Sequence, residues 1–192
     1  MHHPSSTAAE IIRCARKLIV VGGYDSFSYS DIAKAVGIRN ASIHHHFPTK
    51  ADLVRTLVAE YRQEAAQGIA TLERHVTSPV EQLRSYLAYW EACLADGSSP
   101  ICVCALLATQ IPVLPEEVAL EVRAHFRALS AWLASVLERG AAQHLLTLQR
   151  PAREEAELIL ATVHGAMISA RAYGDPETFG LVVRQISARL GF

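Results

Sequence analysis

Three histidines stand consecutively at His44-His45-His46, and Cys102 and Cys104 are separated by one residue. Both runs invite a metal reading, and helical geometry argues against it. Successive helix residues point about 100° apart, so three adjacent imidazoles cannot converge on one ion. Two thiols at that spacing diverge by about 200°. The chemistry left to His44 and His45 is hydrogen bonding to an outside surface, with His46 packed inward. Cys104 reads as a small apolar core residue. Cys102 has two readings: a core thiol, or a reactive one. With Ser99 as cap and Pro100 as first residue, Cys102 would lie in the first turn of a helix, where free N–H groups and the macrodipole favour a thiolate. Cys93 ends the preceding helical pattern and could come close. No histidine–carboxylate–nucleophile set and no phosphate-binding glycine loop is present, so neither an enzyme nor a bound cofactor is expected.

Composition sets the frame for these residues. The chain has 192 residues, 51% apolar and 19% charged, enough for a sizeable core. Its net charge is −1, but the charge is unevenly spread. Residues 1–55 carry seven basic side chains (Arg13, Arg16, Lys17, Lys34, Arg39, Lys50, Arg55) against four acids (Glu10, Asp25, Asp31, Asp52). The remainder is acidic. A basic head on an acidic body suits local phosphate binding. No apolar run is long enough for a membrane span, no signal-peptide pattern opens the chain, and the cysteine spacing is not that of a disulfide framework. The expectation is a cytoplasmic protein with reduced thiols and no membrane partner.

The elements that must position these residues read as all-α, about nine helices. Ser5, Ser6 and Thr7 offer caps for a first helix that Gly22-Gly23 stops. Ser28 and Asp31 form a capping pair for a second, and Gly37 can supply the positive φ of a turn. A third helix covers Arg39 to His46 and is too short to stand without packing. Thr49 and Asp52 cap a fourth that runs to about His75 without a flexible linker. Beyond it, Ser78-Pro79, Ser99-Pro100, Pro115, Pro151 and Asp175-Pro176 mark further helix starts, where proline's missing N–H costs nothing. The helix after Ser99-Pro100 is expected to cover Ile101 to Ile111.

A short helix, a tight turn and a second short helix over Phe27–Leu53 (FSYSDIAKAVGIRNASIHHHFPTKADL) suit a helix-turn-helix that lays its second helix in a DNA groove. Together with Gly23-Tyr24, the AVGI turn, HHF and PTKADL, the stretch resembles the DNA-binding head of TetR/AcrR-family regulators. The resemblance implies a head over residues 1–50 and a ligand-binding and dimerisation body over 51–192. It implies operator DNA, a small-molecule effector and a second copy of the chain as partners, with a palindromic operator bound by a repressor. An activator, or a helical ligand-binding or interaction protein without a DNA role, is the alternative. Residue by residue, Asn40, Ala41, Ser42, His44 and His45 would face the major groove. Ser28, Tyr29 and Lys50 would touch phosphates, and Phe47 would anchor the core. Three positions depart from the family pattern: Arg39 replaces a capping serine, Ala41 a glycine and His44 a tyrosine. Base preference should depart with them, and Arg39 is read as a phosphate contact rather than a guanine reader.

In the body, Tyr86, Tyr89, Trp90, Cys102, Phe126, His164 and Met167 are candidate effector contacts, although aromatics at helical spacing also make plain core. The run ICVCALLATQIPVLPEEV further resembles bodies of the same family that respond to electrophiles. The last two helices carry Leu160, Val163, Met167, Phe179, Val182, Val183 and Ile186 at helical spacing, an apolar excess that is read as a dimer interface, with Gly165 and Ala166 allowing close helix approach.

Overall fold

The computed structural model describes residues 4–97 and 100–192. Among the described residues there are nine α-helices and no strand: α1 Pro4–Gly22, α2 Tyr29–Val36, α3 Asn40–His46, α4 Lys50–His75, α5 Pro79–Ala95, α6 Val103–Ala108, α7 Glu116–Ala142, α8 Ala152–Tyr173 and α9 Glu177–Leu190. Two short 3-10 turns, Tyr24–Ser26 and Ile111–Val113, complete the backbone. None of the described helices is long and apolar enough to cross a membrane.

Two local expectations change. α1 begins at Pro4, so Ser5, Ser6 and Thr7 are helical residues rather than caps. α6 begins at Val103 and ends at Ala108, shorter at both ends than the Ile101–Ile111 expectation. Ile101 and Cys102 are buried to 2% and 0% exposure in an irregular approach to the helix, so packing rather than the Ser-Pro signal sets the start. Ser99, the expected cap, lies outside the described residues.

The chain forms two compact units, Met1–Ala65 with Val103–His125, and Ala66–Cys102 with Phe126–Phe192. Two of the three boundaries fall inside α4 and α7, each one unbroken helix, and the third falls between Cys102 and Val103 at the start of α6. In the first unit, Ile11, Ala15 and Ile19 make a fully buried i, i+4, i+8 stripe along α1. Ile32, Ile43, Leu53, Val54, Leu57 and Val58 are likewise buried. Arg16 ties α1 to α4 through Glu64 at 2.9 Å and through the Tyr61 ring, 4.8 Å away. Arg62 pairs with Glu121 at 3.1 Å, fixing α4 to the start of α7.

The second unit is dominated by the α8–α9 helical hairpin. Val163, Met167, Phe179 and Leu190 are fully buried. One carboxylate lies inside: Glu155 is fully buried, pairs with Arg189 of α9 and has Arg150 at 3.8 Å. On α5, Ser78 accepts a hydrogen bond from Glu81 N at 3.4 Å, while the Glu81 carboxylate turns to Arg84. Gln82 donates to Val76 O at 2.6 Å and accepts from Arg139 at 2.7 Å.

Candidate nucleic-acid interface

The head presents α3 by fixing both of its ends. α2 starts in a reciprocal capping box: Ser28 Oγ accepts from Asp31 N at 3.4 Å, and Asp31 Oδ2 accepts from Ser28 N at 2.7 Å. The Ser28 hydroxyl, then its backbone N–H, hold the Asp31 carboxyl below its ordinary pKa. At the far end Gly37 takes φ 78°, and the N–H groups of Gly37 and Ile38 both reach Ala33 O, at 2.9 and 3.0 Å. Only a residue that tolerates the left-handed region closes this turn without strain. Arg39 then stands at the N-cap of α3 with no side-chain cap bond, as its loss of a hydroxyl requires.

α3 packs through its inner face. Ile43 is fully buried and Phe47, which closes the helix, is 7% exposed. Tyr29 of α2 donates its hydroxyl to Phe47 O at 2.9 Å, clamping the C-terminal end. Burial, then Asp52 and Tyr24, push the Tyr29 phenol up to about 12, so this donor keeps its proton throughout the neutral range. With Ile43 turned in, Asn40, Ala41, His44 and His45 are exposed, and Ser42 and His46 are half-buried. Arg39 and Ser28 are exposed beside them. The His44 ring meets Tyr29 edge-on at 4.8 Å, and its Nδ1 lies 3.2 Å from Pro48 O. A carbonyl oxygen only accepts, so Nδ1 carries the hydrogen and the outward Nε2 of the neutral ring is an acceptor.

Lys50 opens α4 behind a second capping box, formed by Thr49 and Asp52. Its Nζ donates to Phe27 O at 2.5 Å and lies 4.3 Å from the Phe27 ring and 4.8 Å from the Tyr24 ring. Burial lowers its pKa, opposed by Asp25 and Asp31. Lys50 therefore does structural work that the sequence pattern did not show: it ties the start of α4 to the residue before the α2 cap.

Comparison with known proteins gives two family matches. Residues 11–57 match the family described as bacterial regulatory proteins, tetR family, and residues 79–186 match the tetracyclin repressor-like C-terminal domain. The second match alone spans more than half of the chain. The chain belongs to the TetR family. A TetR-family transcriptional regulator from Agrobacterium tumefaciens is 62% identical, with a TM-score of 0.96 over 98% of this chain and 99% of that one. A TetR regulator from Legionella pneumophila is 26% identical, with a TM-score of 0.85 over 94% and 95% of the two chains. The HTH-type transcriptional repressor NemR of Escherichia coli K12 is 22% identical over 88% of this chain and 86% of its own. This TetR-family chain is a DNA-binding transcriptional regulator with a helix-turn-helix head.

Within the TetR-family body, the candidate effector residues separate. Trp90, Cys102, His164 and Met167 are buried. Tyr86 is buried with its ring 5.6 Å from Trp132; burial raises its pKa, Cys102 adds to the rise and Trp90 opposes it. His164 is 7% exposed, its ring is 5.0 Å from that of half-buried Phe126, and neither ring nitrogen has a hydrogen-bond partner among the described residues. Tyr89 differs from these in being 57% exposed on the outer side of α5. Cys102 is fully buried one residue before α6, so the first-turn position that would have favoured a thiolate is not the one it occupies.

The expected interface residues lie mostly inside the chain. Leu160, Val163, Met167, Phe179, Val183 and Ile186 are all buried within a single chain, and Val182 is half-buried. The six buried side chains leave little surface for a partner, whereas Val182 keeps part of its side chain open. The outer side of α8 instead carries Leu158, Ala161, Gly165, Ile168 and Ala172, spaced four and three residues apart and all exposed, and α9 adds exposed Leu181. Ala166 is buried, whereas a Cβ added at Gly165 would meet nothing within 4 Å.

Proposed function

We propose that the chain is a repressor that binds a palindromic operator as a homodimer in the cytoplasm and is released by a small-molecule effector. The observation that carries this reading is the outer face of α3: Asn40, Ala41, His44 and His45 exposed on a helix anchored through Ile43, Phe47 and the Tyr29 hydroxyl. Short polar side chains and imidazoles on such a face reach base edges, while Ser28, Tyr29, Arg39, Ser42 and Lys50 flank it for phosphate and groove contacts. Residues 1–50 would read DNA, and residues 51–192 would dimerise and take the effector. Two heads engage successive major grooves when their recognition helices lie about 34–36 Å apart. An effector that prefers a body conformation with another spacing shifts the population away from DNA through its differential affinity.

The outer stripe of α8 with Leu181 of α9 supports the dimer: apolar and small side chains at helical spacing suit a second copy of the same hairpin. Buried His164, with no partner for either nitrogen, supports an effector that hydrogen-bonds inside the body, since leaving such a group unpaired costs about 1–3 kcal/mol.

The test is selection of duplexes from a random library by the full-length protein, followed by fluorescence anisotropy across a salt series. Enrichment of an inverted repeat is expected, with a linear loss of log affinity against log salt, and Lys50→Ala should reduce that slope by about one. Enrichment of a single unrepeated half-site would reject the palindromic homodimer.

A further inference from the structure

Gln110 lies outside the helix-turn-helix, between α6 and the 3-10 turn Ile111–Val113, yet it belongs to the same compact unit as the head. Its backbone is fixed on both sides: its N–H donates to Leu107 O at 3.0 Å, and its carbonyl accepts from Val113 N at 2.9 Å and Leu114 N at 3.2 Å. From this base its side chain reaches 86 residues back along the chain. Gln110 Oε1 accepts the Tyr24 backbone N–H at 2.9 Å.

The neighbouring Gly23 is shaped to receive it. Gly23 is buried with φ 86°, and an added Cβ would lie 2.4 Å from Gln110 Oε1 and 2.6 Å from Nε2. The positive φ favours glycine here, and any side chain would also have to push the Gln110 carboxamide away from the Tyr24 amide. Tyr24, whose amide is held, places its ring 4.8 Å from the Lys50 ammonium, and that ammonium bonds Phe27 O directly before the α2 cap.

We propose that Gln110 is a positioning residue for operator binding: its carboxamide holds Gly23-Tyr24, and through the Tyr24 ring it sets the Lys50 ammonium at the mouth of α2. This rests on the reading of Lys50 as a phosphate contact. Lys50 has three N–H donors; one is used on Phe27 O, and the others can meet a phosphate only if the aromatic shelf beneath them stays in place. A residue in the C-terminal family match would thereby set the affinity of the DNA head, making the end of α6 a point at which DNA affinity can be altered.

The test compares Gln110→Met, which keeps length and removes the acceptor, with Gln110→Glu, which keeps an acceptor. Each is measured by anisotropy on a duplex that the wild-type protein has selected from a random library. Gln110→Met should bind about threefold to tenfold more weakly, the size expected if the misplaced Lys50 ammonium loses about one hydrogen bond to phosphate. Its salt slope should fall by about one, its melting temperature should stay within a few degrees of wild type, and Gln110→Glu should retain most of the affinity. In a Lys50→Ala background, Gln110→Met should add nothing. A merely structural role would lower the melting temperature and leave the salt slope of the folded protein unchanged. Wild-type affinity and slope for Gln110→Met, or full additivity with Lys50→Ala, overturns the proposal. Loss of slope on Gln110→Met with none on Lys50→Ala overturns the Lys50 reading instead.

Discussion

α3 and α8 each keep a face out of the chain's own core, and the two faces differ in kind. α3 has seven residues, turns Ile43 inward and exposes Asn40, Ala41, His44 and His45. α8 has 22 residues, buries Val163, His164 and Met167, and exposes Leu158, Ala161, Gly165, Ile168 and Ala172. The first face offers hydrogen-bonding groups on a helix too short to form alone, fixed from outside by Tyr29 and by capped neighbours. The second offers apolar area and small side chains on a helix that its own hairpin stabilises. A polar face set rigidly by neighbours suits the discrimination of base edges; a flat apolar stripe suits another helix. The contrast can be broken at either helix.

The largest expected effect comes from the apolar face. Gly165→Trp meets no atom of its own chain near the new Cβ, and glycine inside a helix gains rather than loses by substitution. The monomer fold should therefore survive. If α8 packs against its counterpart in a second copy, the indole blocks that approach, and the protein should sediment as a monomer. Operator affinity should then fall by roughly 10²–10⁴, the gain that two linked heads confer over one. A variant that stays dimeric with unchanged DNA binding would place the interface elsewhere.

Next in size is the charge cluster inside the α8–α9 hairpin. Arg189→Met leaves the fully buried Glu155 carboxylate with only Arg150, 3.8 Å away. Breaking a buried pair in this way costs about 3–5 kcal/mol, and Arg189, with 23% of its side chain exposed, belongs at the lower end. Urea unfolding should show the loss. The double change Glu155→Leu with Arg189→Met should recover most of it, because the buried charge is gone. If the double variant is no better than the single one, hairpin packing rather than charge is what Arg189 supplies.

The same contrast explains what could be read ahead of the structure. Local rules gave the head: Ser28 with Asp31, Thr49 with Asp52 and Gly37 act over three or four residues, and each sits where its spacing requires. The start of α8 after Pro151 was equally local. Which side of α8 faces inward was not legible, because Val163 and Met167 on one side and Leu158 and Ile168 on the other are all apolar. Only the hairpin with α9 decides. Tyr89 went the same way, its aromatic spacing on α5 being blind to which face is covered. At α6 the Ser-Pro start signal lost to the burial of Ile101 and Cys102. The link from Gln110 to Tyr24 spans 86 residues and leaves no pattern that a periodicity can reveal.

On the polar face, the sharper prediction concerns His44. Its Nδ1 hydrogen is directed to Pro48 O, so the neutral ring offers Nε2 as an acceptor. The base it meets should present a donor, the N4 amino group of cytosine or the N6 amino group of adenine. His44→Ala should relax preference at one position of each half-site by about 1–3 kcal/mol while leaving the salt dependence intact. Comparing libraries selected by the two proteins would show it. Equal loss at every position would reassign His44 from base reading to support of Tyr29, whose ring it meets at 4.8 Å.

The smallest perturbation probes burial itself. Cys14 and Cys93 are half-buried, one in each compact unit, whereas Cys102 and Cys104 are fully buried. Burial raises the Cys14 thiol, with Lys17 opposing, so Cys14 should react slowly near neutral pH and faster as pH rises. Brief iodoacetamide treatment of the native protein, followed by peptide mass spectrometry, should label Cys14 and Cys93 and spare the other two until denaturant is added. An electrophile response through Cys102 would then require the approach to α6 to open first, so its alkylation rate should track that opening and saturate with reagent concentration. If Cys102 instead reacts in direct proportion to reagent and ahead of Cys93, the irregular segment before α6 is open in solution, and the α6 end of the body rather than its outer face is where an effector first arrives.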